Sequence, residues 1–173
     1  MPHKINDITL RTYTALFAQN IIRVIHELTG YSFEIQASSL HKGPYKSHGS
    51  FSTFMHFTGK VQGVCIITTE TATAKGISNE CGHSFSETGY EFTELFNEVV
   101  NMAVGSTLPE MEKKLGPLTQ VPPYQVFGTI KFPSILSGNV DIHGYSGKIA
   151  CSLLINLATI QVIEEIAKNL TEE

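Results

Sequence analysis

Two strand-like runs of this 173-residue chain, residues 50–58 and 61–69, are joined through Gly59 and Lys60. That short join constrains the fold more than any other feature. A connection so tight closes only an antiparallel pair, because a parallel pair needs a crossover of a dozen or more residues. Neighbouring segments agree with it. Residues 31–40 alternate as a strand, and residues 139–144 and 148–156 form a second hairpin around Tyr145, Ser146 and Gly147. A further strand opens after Pro122 and Pro123 and runs from Tyr124 to about Phe132. Residues 41–49 contain Gly43 and Pro44 and read as a loop.

Helices flank these strands. Leu16, Phe17, Ile21, Val24, Ile25 and Leu28 recur at helical spacing before Gly30, which predicts a first helix over roughly residues 8–28. Residues 70–82 read as a short helix stopping near Gly82. A longer helix spans about residues 90–115, with Thr88 and Glu91 spaced as a capping box and Gly116-Pro117 as its stop. An amphipathic helix over residues 157–170 closes the order. The expectation is an α+β fold of two helix-plus-three-strand units with pseudo-twofold symmetry, an antiparallel sheet packed against long helices. No linker or low-complexity tract interrupts it, so residues 1–173 are expected to form one domain.

Several function classes are disfavoured. A net charge of −4 with scattered Lys and Arg gives no electrostatic footprint for nucleic acid. The first seven residues lack an apolar signal core, and the longest apolar stretch, residues 149–163, is interrupted by Ser152, Asn156, Thr159 and Gln161. Cys65, Cys81 and Cys151 are odd in number and far apart, which suits a reducing compartment, with Cys65 and Cys151 in the core. The expectation is a cytoplasmic protein with no membrane anchor. Seven histidines come without a His-Glu-x-x-His or paired Cys-x-x-Cys motif, so no metal site is expected. There is no Gly-rich phosphate loop and no Gly-x-Ser-x-Gly elbow.

The long helix carries the chemistry. At about 100° per residue, Phe92, Leu95, Phe96, Val99, Met102, Ala103 and Ser106 share one face and predict the buried side. Glu94, Glu98, Asn101 and Gly105 form a solvent-facing ridge roughly 130° away. Gly105 weakens the helix by about 1 kcal/mol relative to Ala, and close approach of another surface would account for it. A Glu-x-x-Asn pair alone says little, because a chain with 14 Glu and 8 Asn holds about 0.6 such pairs by chance.

Glu94, Glu98 and Asn101, followed by Pro123 before a strand, resemble the pattern of the CheC/CheX/FliY family of chemotaxis phosphatases. That pattern is an Asp or Ser, a Glu four on, an Asn three on and a Pro roughly two dozen residues downstream. Glu94 stands where the family usually has Asp or Ser, and the spacing to Pro123 is shorter by about one residue. The order of elements is similar to CheX across nearly the whole chain. The first helix lacks the second Glu-x-x-Asn found in CheC-type proteins, since Phe17 stands three residues before Asn20. The resemblance implies a phosphatase acting on the phospho-aspartate of a CheY-type response-regulator receiver. Asn101 would orient the attacking water and Glu98 would pair with the receiver's active-site lysine. Glu94, Gly105 and Pro123 would lie in the contact surface. It also implies a homodimer, no cofactor of its own and Mg²⁺ held by the receiver. The alternative is a non-catalytic CheX-like module that docks on a receiver or dimerises as a scaffold.

Overall fold

A computed structural model of the chain describes residues 7–80 and 91–156. The expected helix over residues 157–170, Cys81, Gly82 and Thr88 lie outside them. Among the described residues the order is α1 (Asp7–Thr29), β1 (Phe33–Lys46), β2 (Phe51–Gly59), β3 (Gly63–Thr69), α2 (Thr71–Glu80), α3 (Phe92–Leu115), β4 (Leu118–Gln120), β5 (Tyr124–Phe127), β6 (Lys131–Gly144) and β7 (Gly147–Asn156).

The antiparallel hairpin of β2 and β3 forms, from Phe57 opposite Gly63 to Phe51 opposite Thr69. Lys60, Val61 and Gln62 join the strands, however, and β3 begins two residues after the expected start at Val61, so the turn is longer than a Gly59-Lys60 join. The sheet order is β1-β6-β7-β3-β2, with β4 and β5 both on the outer edge of β2, and every pairing is antiparallel. Side chains alternate across this sheet. Cys65 and Ile67 of β3 join the main core, while Val64 and Ile66 join a smaller cluster with Tyr45, Ile135 and Leu154.

The main core gathers the apolar stripes of α1 and α3 over the sheet, through Phe17, Ile21 and Ile25 on one helix and Phe92, Phe96 and Val99 on the other. Phe51 of β2 meets Phe92 and Phe96 edge-on, at ring separations of 5.1 and 5.6 Å. A polar tie joins the two helices. The Asn20 carboxamide donates to the Thr107 hydroxyl (3.0 Å), which donates to the Ala103 carbonyl (2.7 Å). Where α1 crosses β6, a side chain at Gly138 would overlap Thr14, so only glycine allows this approach. Cys65 and Cys151 are buried free thiols, and burial pushes both far above the ordinary thiol range.

Several expectations need correction. The segment expected as a loop over residues 41–49 is strand as far as Lys46, because β1 stays paired with β6 through Lys42 opposite Leu136 and Tyr45 opposite Phe132. Pro44 sits at a register shift on an edge strand, where a missing N–H breaks no inner ladder. The strand expected from Tyr124 to Phe132 divides in two. Gly128, at φ +112°, ends β5, and the chain crosses from the β2 edge to join β1 as β6. β6 begins eight residues before the expected start at Asn139, and β4 was not expected. Glu91 stands at the N-cap position of α3 rather than three residues inside the helix.

Candidate functional site

α3 presents the expected ridge. Glu94, Glu98, Asn101 and Gly105 are all exposed. The buried side is wider than the sequence stripe and rotated from it. Val100, Val104 and Thr107 are buried, whereas Met102 is only half-buried and Ser106 is exposed. α3 is covered on two sides, by the sheet and by α1, so its buried arc exceeds a single stripe. Ser106 instead accepts a hydrogen bond from the Arg23 guanidinium at 3.1 Å on the outer face of that helix pair. The helix ends where expected, with Gly116 at φ +78° donating its N–H to the Glu112 carbonyl at 2.9 Å. The Glu112 carboxylate then accepts from the Leu118 N–H at 2.7 Å, which turns the chain back along β2.

That return builds a second wall opposite the ridge. β4 pairs with Phe57–Gly59 and β5 with Phe51–Phe54, both along the outer edge of β2. Between them the Val121 N–H still reaches the His56 carbonyl at 2.9 Å, but Pro122 and Pro123 have no N–H and the ladder opens. The Gln125 carboxamide donates to the Thr93 carbonyl at 2.6 Å and ties β5 to the first turn of α3. The result is a groove of about 450 Å³ between helix and sheet edge. Glu94, Asn97, Glu98 and Asn101 form one side, Gln120, Val121, Pro122 and Pro123 the other, and Met55 also lines it.

The structure therefore brings Glu94, Glu98, Asn101 and Pro123 to one groove, although Pro123 is far from the others in sequence. Gly105 lies on the same helix face but outside the groove lining. Asn97, which the wheel sets nearer the core edge, lines the groove as a half-buried residue whose Oδ1 is buried without a hydrogen-bond partner among the described residues. A wheel alone does not find it, because the far wall that turns that edge into a groove comes from strand pairing. Asn20 is half-buried against Thr107 and presents no second ridge of this kind on α1.

Among the described residues the lining holds two carboxylates, three carboxamides and no Lys, Arg, Ser, Thr, Cys or His. Among those residues it offers no hydroxyl, thiol or imidazole. Carboxamides can hold a water through both a donor and an acceptor, and carboxylates can fix a cationic partner group. Among the described residues no group of three or more His, Cys, Asp and Glu is placed to hold a metal ion. No described helix is long and apolar enough to cross a membrane.

Comparison with protein-family models and with curated protein sequences gives no match. Solved structures do match. The chemotaxis protein CheX from Desulfovibrio desulfuricans superposes with a TM-score of 0.71 at 14% identity, covering 84% of this chain and 99% of that one. CheX from Borrelia burgdorferi, crystallised as a CheX–CheY–BeF3–Mg²⁺ complex, gives 0.62 at 18% identity, covering 83% and 96%. FliY from Thermotoga maritima gives 0.60 at 11% identity, covering 91% and 93%. At these identities the likeness is one of architecture: over most of its length the chain has the fold of CheX/CheC-like chemotaxis proteins and of FliY.

Proposed function

We propose that this protein is a phosphatase for the phospho-aspartate of a CheY-type receiver domain. One observation carries the reading: Glu98 and Asn101 stand exposed side by side on one wall of a groove whose other wall holds Pro123, in a chain with a CheX-type fold. The Borrelia burgdorferi relative of that fold was crystallised with CheY.

The substrate is an acyl phosphate, already activated and held with Mg²⁺ by the receiver, so the phosphatase has to place a water in line and hold it. The Asn101 carboxamide enters the receiver site, accepts a hydrogen bond from the water and donates one without adding charge beside the phosphoryl oxygens. Water attacks phosphorus, the bond to the aspartyl oxygen breaks, and inorganic phosphate and a free carboxylate result. Glu98, one turn away on the same face, pairs with the receiver's active-site lysine and sets register. Glu94, Gly105 and Pro123 lie in the contact surface. The protein supplies no metal, and the Mg²⁺ belongs to the receiver.

A dephosphorylation assay with a phosphorylated CheY-type receiver tests this. Asn101→Ala should abolish the acceleration while the far-UV spectrum and Tm stay unchanged, and Glu98→Ala should mainly weaken receiver binding. Undiminished phosphate release by Asn101→Ala would refute the assignment. Receiver binding by the wild-type protein without acceleration would favour the docking-module alternative.

The same reading includes a cytoplasmic homodimer with residues 1–173 as one domain, which light scattering on the purified chain would test for mass. It also includes the pseudo-twofold relation. Exchanging β1, β2 and β3 with the β4–β5 edge, β6 and β7 reverses the sheet order into itself, which supports that relation.

A further inference from the structure

Pro109 lies inside α3, four residues after Gly105, and both are exposed. In an uninterrupted helix the N–H of residue 109 would donate to the carbonyl of residue 105, but proline has no N–H. The Gly105 carbonyl therefore lacks its regular partner. Steps of about 100° place positions 94, 98, 101, 105 and 109 within one arc of about 80°. This carbonyl consequently opens on the same face as Asn101, roughly 6 Å further along the helix axis.

Among the described residues nothing covers the position. A Cβ added at Gly105 would have none of their atoms within 4 Å, and the glycine backbone is not in the left-handed region. No packing constraint or special backbone angle thus calls for glycine here. Gly and Pro are the two residues least suited to a helix interior, and here they stand four apart on the exposed side of one helix. Their joint effect is to bare one main-chain acceptor. Pro109 removes its donor and Gly105 removes the side chain beside it.

We propose that the Gly105 carbonyl accepts a hydrogen bond from an N–H donor of the docked receiver. This inference rests on the receiver-phosphatase reading given above. A receiver seated over Asn101 must also cover the ridge one turn further on, and the bare glycine lets its backbone approach closely. Gly105 and Pro109 are thus docking residues, outside the chemistry at Asn101.

Pro109→Ala tests this because it restores the N–H and closes the helical bond to Gly105 without altering a ridge side chain. Steady-state dephosphorylation of a phosphorylated CheY-type receiver is measured with wild type and variant, together with Tm. The expected result is a higher Tm, a KM raised about three- to tenfold, the loss of one hydrogen bond, and an unchanged kcat. Gly105→Ala, which keeps the free carbonyl but adds a methyl group beside it, should also raise KM. A higher Tm with unchanged KM in Pro109→Ala would overturn the inference while leaving the phosphatase reading intact. A fall in kcat would overturn it too, since the variant would then act by moving Asn101. A wild-type protein that accelerates no receiver would overturn the phosphatase reading, and this inference with it.

Discussion

Replacing Asn97 with Leu should make the free protein more stable. Oδ1 of this half-buried side chain is buried in the groove wall without a donor among the described residues. An unsatisfied buried acceptor costs about 1–3 kcal/mol, and Asn97→Leu removes it. Leu is also the better helix former, by roughly 0.5 kcal/mol. The new side chain would face Met55 and Val121 across the groove, but the site is open to solvent, so added apolar burial contributes less than a core position would. The sum is a gain of about 1.5–3.5 kcal/mol. For a chain of 173 residues that corresponds to a rise in Tm of roughly 3–14 °C. Scanning calorimetry measures the shift, and urea titration should move the midpoint without changing the slope. An unchanged or lowered Tm would refute the reasoning, because Oδ1 would then already be satisfied in solution. A stabilised variant that also binds the receiver less well would identify the polar groove wall as a place where stability is given up for docking.

Other predictions concern the wall, the crossing of α1 and the thiols. Gln125→Ala removes the 2.6 Å bond to the Thr93 carbonyl, so the Pro122–Pro123 wall should loosen and KM for the receiver should rise several-fold, at a cost of about 1 kcal/mol in stability; identical kinetics would refute that positioning role. Gly138→Ala should destabilise by about 1–3 kcal/mol through overlap with Thr14, and Thr14→Ala in the same chain should restore part of the loss, as a double-mutant cycle in urea would show. Unfolded thiols ionise around their ordinary value of 9.0, whereas folded Cys65 and Cys151 stay protonated well above it. The unfolded state therefore binds fewer protons in that range, and stability should be full below about pH 9 and fall as pH rises beyond it. Burial raises the Tyr45 phenol in the same direction, adding to the decline above its ordinary value of 10.0. A urea midpoint that stays flat from pH 8 to 10.5 would contradict this.

What the sequence made legible was local. The short connection after residue 58 carries its antiparallel pairing in its length, although the turn extends to Gln62, and the exposed ridge of α3 follows from helical periodicity alone. The errors arose where a distant partner decides the outcome. Gly43-Pro44 has turn chemistry, yet β6 holds both residues in an edge strand because the proline falls at a register shift. Residues 124–132 look like one strand, but Gly128 lets the two halves pair with opposite sides of the sheet. The buried arc of α3 was underestimated because periodicity assumes one covering surface and α3 has two. The groove itself could not be read from the helix. Spacing marks Pro123 only as a motif residue, whereas the physical role of the two prolines is to open the β2 edge opposite Asn97 and Asn101.

The Asn20 tie also bears on how such a chain can change by mutation. A second Glu-x-x-Asn ridge in this register of α1 would need a glutamate at position 17, where Phe17 is completely buried, and would need Asn20 released from Thr107. The first change would place a carboxylate in the main core at a cost of several kcal/mol, comparable to much of the stability of an ordinary domain. The second would cut one polar link between the two long helices and leave the Arg23–Ser106 bond. The first step is the barrier: the buried carboxylate disfavours a second ridge in this register whichever change comes first. Substitutions along α3 remain open, and it is on that helix that variation in partner choice should accumulate.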